Sequence, residues 1–119
     1  MTPHSHAIVA FTWSEGHGPG TRISNDLKAR IAQDWDRFRE AAEALGFDAT
    51  EHRARAIDPF EGDEWGYAAH DFVLTRNHHG AGFWDGDWHD PWGERLTELA
   101  HTFPQLEGYF DDDDILRLL

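Results

Sequence analysis

Between Leu27 and Leu45 the apolar residues Leu27, Ile31, Trp35, Phe38, Ala42 and Leu45 recur at steps of four, four, three, four and three. That spacing predicts a helix over 25–45 with a single apolar stripe. Ser24 or Asn25 can cap its start. Gly46 is a left-handed stop, and Phe47 stands where a returning hydrophobic contact belongs. Lys28, Arg30, Asp34, Arg37, Glu40 and Glu43 fall on the opposite, solvated face. A shorter helix is predicted over 91–102, with Asp90 as cap and Pro91 in the first turn. Its buried face would be Trp92, Leu96, Leu99, Ala100 and Phe103, and Pro104 stops it.

The remaining apolar segments are short. Residues 7–13, Ala-Ile-Val-Ala-Phe-Thr-Trp, read as a strand, followed by a loop through Gly16, Gly18, Pro19 and Gly20. Residues 48–57 are polar and without period, and Asp58-Pro59 opens a turn or short helix holding Phe60, Trp65 and Tyr67. Residues 71–76 are rich in strand formers, Asn77 to Gly82 is turn chemistry, and Phe83-Trp84-Asp85 reads as a returning strand, so 71–85 is expected to be a hairpin. Leu106 to Phe110 is a further strand, Asp111 to Asp114 a tight acidic turn, and Ile115 to Leu119 a last edge strand or short helix. The expectation is one α+β domain over 1–119. A small, mostly antiparallel sheet would pack against the long helix at 25–45 and the shorter one at 91–102.

Composition narrows the chemistry. The 119 residues include six Trp and eight Phe, enough bulk for a core, and no cysteine. Disulfides, thiolate metal sites and cysteine nucleophiles are therefore excluded. No apolar window is long enough for a membrane span, and Met1 to His6 lacks a signal-peptide pattern, so a cytoplasmic location is expected. Acids number 23 against 10 Lys and Arg. Residues 1–57 carry 8 acids and 7 bases, whereas residues 58–119 carry 15 acids and only Arg76, Arg95 and Arg117. The net charge is thus −1 in the first half and −12 in the second. Such a surface repels nucleic acid, since phosphate binding needs Lys and Arg. It attracts basic protein surfaces instead.

The stretch His70-Asp71-Phe72-Val73-Leu74-Thr75-Arg76-Asn77-His78-His79-Gly80-Ala81-Gly82-Phe83-Trp84-Asp85 resembles a signature of small bacteriophage and mobile-element proteins. The family pattern continues with a helix containing Leu-Thr, matched by Leu96-Thr97, and an acidic terminal hairpin, matched by Asp111 to Asp114. Phe11-Thr12-Trp13-Ser14 is similar to the family's opening strand. Val73 stands where the family has Trp, and His78 where it has Gly. The resemblance implies a phage-type gene acting in host cytoplasm. It implies no particular activity.

Several constellations could carry chemistry. His70, Asp71, His78, His79, Asp85, Asp87, His89 and Asp90 lie within 21 residues and are suitable ligand types for zinc, manganese or iron. Their spacing matches no ligand motif, so a metal-dependent enzyme using this cluster is the alternative reading, and no metal or cofactor is expected. Asp85, Asp87 and Asp90 could act as paired carboxylates, but nothing nearby in sequence raises the pKa of one of them. Ser5, Ser14 and Ser24 lack a nucleophile elbow, and the 16–20 loop lacks the lysine of a phosphate cradle. Arg76 reads better as a structural guanidinium tying down carbonyls or carboxylates in the glycine turn than as a ligand contact. Trp84, Trp88 and Trp92, with Trp65 upstream, are core or lid residues in one reading and an aromatic hot spot inside an acidic rim in the other.

Three acidic groups remain: Glu61, Asp63 and Glu64; Asp85, Asp87 and Asp90; and Asp111, Asp112, Asp113 and Asp114. They could simply solubilise the surface. Alternatively they imitate a nucleic-acid backbone, with about one charge per 1.7 Å of duplex axis. The favoured functional expectation is a non-enzymatic binder. It would occupy a basic host protein, such as a defence nuclease or CRISPR effector, through those carboxylates and inhibit it by nucleic-acid mimicry or surface blocking.

Overall fold

The computed structural model describes residues 2–15, 18, 20–54 and 63–119. Among them are five helices and a three-stranded sheet that packs on α2, in the order α1 (Pro3–Ser14), β1 (Arg22–Ile23), α2 (Asn25–Ala44), α3 (Ala49–His52), α4 (Glu64–Arg76), a 3-10 turn (Phe83–Asp85), α5 (Trp92–Ala100), β2 (Gly108–Phe110) and β3 (Ile115–Leu118). The α+β expectation holds in its coarse form. The balance is more helical than the sequence pattern suggested.

Helix α2 follows its periodicity. The Ser24 hydroxyl accepts from the Leu27 N–H at 3.2 Å. Leu27, Ile31, Trp35, Phe38 and Ala42 are buried. At the other end the Gly46 N–H donates to the Glu43 carbonyl at 2.9 Å and the Phe47 N–H to the Ala42 carbonyl at 3.0 Å. Gly46 has φ of +99°, and this pair of bonds is the left-handed stop that returns Phe47 to the core. Two assignments on this helix change. Leu45 is exposed rather than buried, because the chain has already turned away there, and Asp34 is buried rather than solvated. Helix α5 buries Trp92, Leu96 and Ala100, with Leu99 and Phe103 partly covered. Its cap position is Pro91, with no side-chain cap bond, so Asp90 does not play that part.

The strand expected at 7–13 is helix α1. Thr2 caps it by accepting from the Ser5 N–H at 3.1 Å, and Pro3 opens its first turn. Ala7, Ala10 and Phe11 form the buried face. The small side chains of Ala7 and Ala10 let α1 lie close on α4, where Gly66 leaves room: a Cβ there would stand 2.3 Å from the His6 ring.

The hairpin expected at 71–85 is instead the end of α4, a glycine turn and the 3-10 turn. Helix α4 is buried nearly all round from Gly66 to Arg76, so it shows no helical period. Phe72-Val73-Leu74-Thr75 then reads like a strand, although tertiary burial makes it helix. Trp65 and Tyr67 also belong to α4, whereas Asp58, Pro59 and Phe60 lie outside the described residues.

With that hairpin gone, the sheet is small and mixed. Its order is β1-β3-β2, β1 pairing parallel and β2 antiparallel with β3. The closing segment is thus the central strand, not an edge. It folds back on β2 through the expected turn at Asp111 to Asp114, and Leu116 enters the core. At the centre Phe38 stacks on Phe72 at 4.4 Å and on Phe83 at 5.5 Å, and Trp35 lies 5.8 Å from Phe38. Replacing Trp35 by Ala is expected to cost about 3–5 kcal/mol, the range of large core truncations, measurable by urea unfolding. A nearly unchanged midpoint would place Trp35 outside the core.

Candidate acidic groove beside Trp84

The signature residues Thr75, Arg76 and Asn77 sit together at the end of α4, and each holds a different segment. The Thr75 hydroxyl accepts from the Phe83 N–H at 3.1 Å, fixing the start of the 3-10 turn. Arg76 is 1% exposed. Its Nη1 donates to Asp34 Oδ2 at 2.7 Å, and Nη2 and Nε donate to the Pro104 carbonyl at 2.8 and 3.2 Å. Arg30 reaches the same Asp34 oxygen at 2.9 Å. Asn77 holds Leu106 by both backbone groups, at 2.8 and 3.1 Å. Arg76 is therefore structural. Its carboxylate comes from α2, not from the glycine turn.

Farther back on α4 a second set of polar groups pins residues 87–89. Asp71 Oδ2 accepts from the Trp88 indole N–H at 2.9 Å, and the Tyr67 hydroxyl donates to Asp87. Burial pushes the Asp71 carboxyl above the usual carboxylate range, against the opposing pull of bonds to His70 and Trp88. Burial raises the Tyr67 phenol too. Residues 52–54 clamp the same segment from outside: the His89 N–H donates to the His52 carbonyl and the Ala54 N–H to the Asp87 carbonyl, both at 2.7 Å.

These anchors build a groove of about 350 Å³ between the 83–90 segment and α5. Buried Phe83 and Trp88 lie at its base. Gly93 lets α5 approach, since a Cβ there would stand 2.9 Å from the Phe83 carbonyl oxygen. Trp84 forms one wall and is 43% exposed. Its ring lies against Gly82, where a Cβ would stand 3.0 Å from the indole and 2.4 Å from the Thr75 hydroxyl. Asp90, Glu94 and Glu98 line the groove, are exposed, and make no ion pair with any described residue.

The acidic residues named from sequence do not all belong to this surface. Asp85 is exposed next to Trp84 and accepts from the Gly82 N–H at 3.2 Å. Asp87 is 3% exposed and faces the interior. Asp63 caps α4 and binds His6 at 2.6 Å, and Glu64 reaches Arg53 at 3.4 Å. Glu61 lies outside the described residues. Asp111 is committed to its own turn. It accepts from the Asp113 and Ile115 N–H groups at 2.9 and 3.0 Å and pairs with Arg117, and these bonds hold its carboxyl below the usual range. Asp112, Asp113 and Asp114 are exposed at the hairpin tip. Glu94 and Glu98 were missed from sequence. Their i, i+4 spacing on the predicted 91–102 helix already put them on one face.

The histidines disperse. His70 lies 3.6 Å from Asp71, His78 stacks on His101 at 4.4 Å, and His79 packs 5.2 Å from Trp13. His89 is exposed beside Asp90. Among the described residues no three His, Asp or Glu side chains come together to hold a metal ion. The tryptophans divide: Trp88 and Trp92 are core, Trp65 is half-buried, and Trp84 is exposed, as is Trp13 on α1.

Two outcomes test these anchors. Arg76→Ala strands a buried carboxylate and should cost about 3–5 kcal/mol, and Asp34→Ala should cost comparably. The double substitution should cost clearly less than their sum by urea unfolding, and additive losses would mean that the pair is not coupled. For Asp71 the folded-state pKa is raised, so folding opposes ionisation. Stability is lost as pH rises from the unfolded aspartate value of about 3.9 through the higher folded value. Asp71→Asn removes that loss. It should gain progressively on the parent as pH rises above the unfolded aspartate value of about 3.9 and show no such gain at pH 3 in thermal melts.

No protein family, curated protein or solved structure matches this chain.

Proposed function

We propose that the chain is an acidic binding protein of phage type. It attaches to a basic, nucleic-acid-binding host protein, a defence nuclease or CRISPR effector, and blocks it by nucleic-acid mimicry or by covering its surface. The observation that carries this reading is the charge division, −1 over residues 1–57 against −12 over residues 58–119. The exposed carboxylates in the acidic half support it. Asp90, Glu94 and Glu98 line a groove, and Asp112, Asp113 and Asp114 crown a turn held by Asp111. Ion pairing inside the protein would have neutralised them, and their exposure leaves the field available to a partner.

No helix among the described residues is long and apolar enough to cross a membrane. The reading needs no metal, cofactor or direct contact with nucleic acid.

Capture of host proteins on the immobilised chain is the test. Binding should weaken steeply between low and high salt. Reversing the exposed Asp112, Asp113 and Asp114 together to Lys, with Asp111 left to hold the turn, should slow association and flatten the salt dependence, whereas single Asp→Asn changes at Asp112 or Asp113 should be nearly silent. Capture that survives both high salt and the threefold reversal would overturn the electrostatic reading.

A further inference from the structure

We infer that the groove beside Trp84 takes an arginine-bearing, extended basic segment of the partner, with a guanidinium stacked on the Trp84 indole and held by Glu94 and Glu98. This rests on the reading of the chain as a binder of basic proteins and names the contact within it.

The observations converge on arginine. Trp84 is 43% exposed, whereas Trp35, Trp88 and Trp92 are buried; Trp13, also exposed, packs on His79 and lines a separate apolar pocket with Ile8, Val9 and Thr12. It is also held in place: Gly82 abuts its ring, and Thr75 fixes the Phe83 N–H just before it. A preordered, half-exposed indole gives a cation a face at little entropic cost. Opposite it, Glu94 and Glu98 stand one turn apart on α5, with Asp90 beyond, and no described cation neutralises any of the three. An apolar ligand would leave those carboxylates desolvated and unpaired. A metal ion would need converging ligands, and the described residues offer no set of three.

Between the two basic side chains, arginine fits better. Its planar guanidinium stacks on an aromatic face and still directs N–H donors at a carboxylate, whereas an ammonium is a compact, strongly hydrated point charge. The groove volume of about 350 Å³ suits one long side chain and its flanking backbone. Gly86 and Gly93 present no side chain to obstruct them.

The probe is a synthetic twelve-residue peptide of alternating arginine and glycine, titrated calorimetrically into the full chain at low salt. A lysine–glycine peptide of the same charge is the control. The arginine peptide should bind about tenfold more tightly than the lysine one, a ratio set by the stacking term. Trp84→Ala should lose about tenfold in affinity for the arginine peptide and abolish the preference. Glu94→Gln with Glu98→Gln, both on the exposed face of α5, should weaken both peptides and reduce the salt dependence. Thermal melts confirm that each variant remains folded.

Unchanged binding by Trp84→Ala and by the glutamine pair overturns the groove. If the threefold reversal at Asp112, Asp113 and Asp114 then abolishes binding, the acidic-surface reading stands without the groove. If neither peptide binds the parent chain, the groove assignment fails, and salt-sensitive capture of a host protein decides the broader reading separately. Self-association that Trp84→Ala dissolves, with no peptide binding, would make a second copy the occupant and overturn the arginine assignment.

Discussion

Arg76 is a guanidinium with almost no exposure, and the architecture around it follows from the need to satisfy it. Burial opposes its charge, yet the group stays protonated because no accessible pH removes the proton. Its donors must therefore be met inside. Asp34 of α2 and the carbonyl of Pro104 meet them, while the rings of Phe72 and Phe103 lie 5.5 and 5.7 Å from the guanidinium carbon. One side chain thus joins α2, α4 and the segment entering β2. The gain is specificity more than net energy, since an apolar replacement of similar volume could be as stable. An alternative packing of α4 would leave either Asp34 or Arg76 buried and alone, at a cost of several kcal/mol.

The groove is a consequence of that clasp. Thr75, one residue before Arg76, seats Phe83, and Phe83 and Gly82 seat Trp84. Asp71, one turn earlier on the same helix, holds Trp88 at the base. The residues from 70 to 85 that stand out in the sequence therefore act mainly as scaffold. The groups offered to solvent are Trp84 and the carboxylates that follow it. Folding and binding divide along the chain: the polar groups turned inward fix the shape, and the acids left outside set the charge.

How much of this was legible depended on burial. Helix α2 has one wet face, so its period was readable, and Gly46 and Phe47 marked its end correctly. Helix α1 and the second half of α4, residues 71–76, read as strands because both are short apolar runs, which periodicity alone does not resolve when a helix is wet on little of its surface. The Thr2-Pro3 cap was the signal available for α1. Asp34 looks solvated in sequence because its buried partner, Arg76, lies 42 residues away on another helix, a relation no local pattern contains; the local Arg30 pair by itself is an ordinary surface spacing. The structural part assigned to Arg76 was right in kind, since a lone arginine in an acidic stretch needs a fixed acceptor. The acidic half was legible from counting alone. Which acids point outward was not, because Asp85 and Asp87 are two residues apart, yet one faces solvent and the other Tyr67.

The most direct measurement of this division is hydrogen exchange of the chain alone and in complex with a captured partner. The account predicts added protection over 84–98 and 111–115 on binding, with the amides of Thr75, Arg76 and Asn77 equally slow in both states. Protection confined to the near-neutral half, over 22–53, with the acidic segments unchanged, would contradict it.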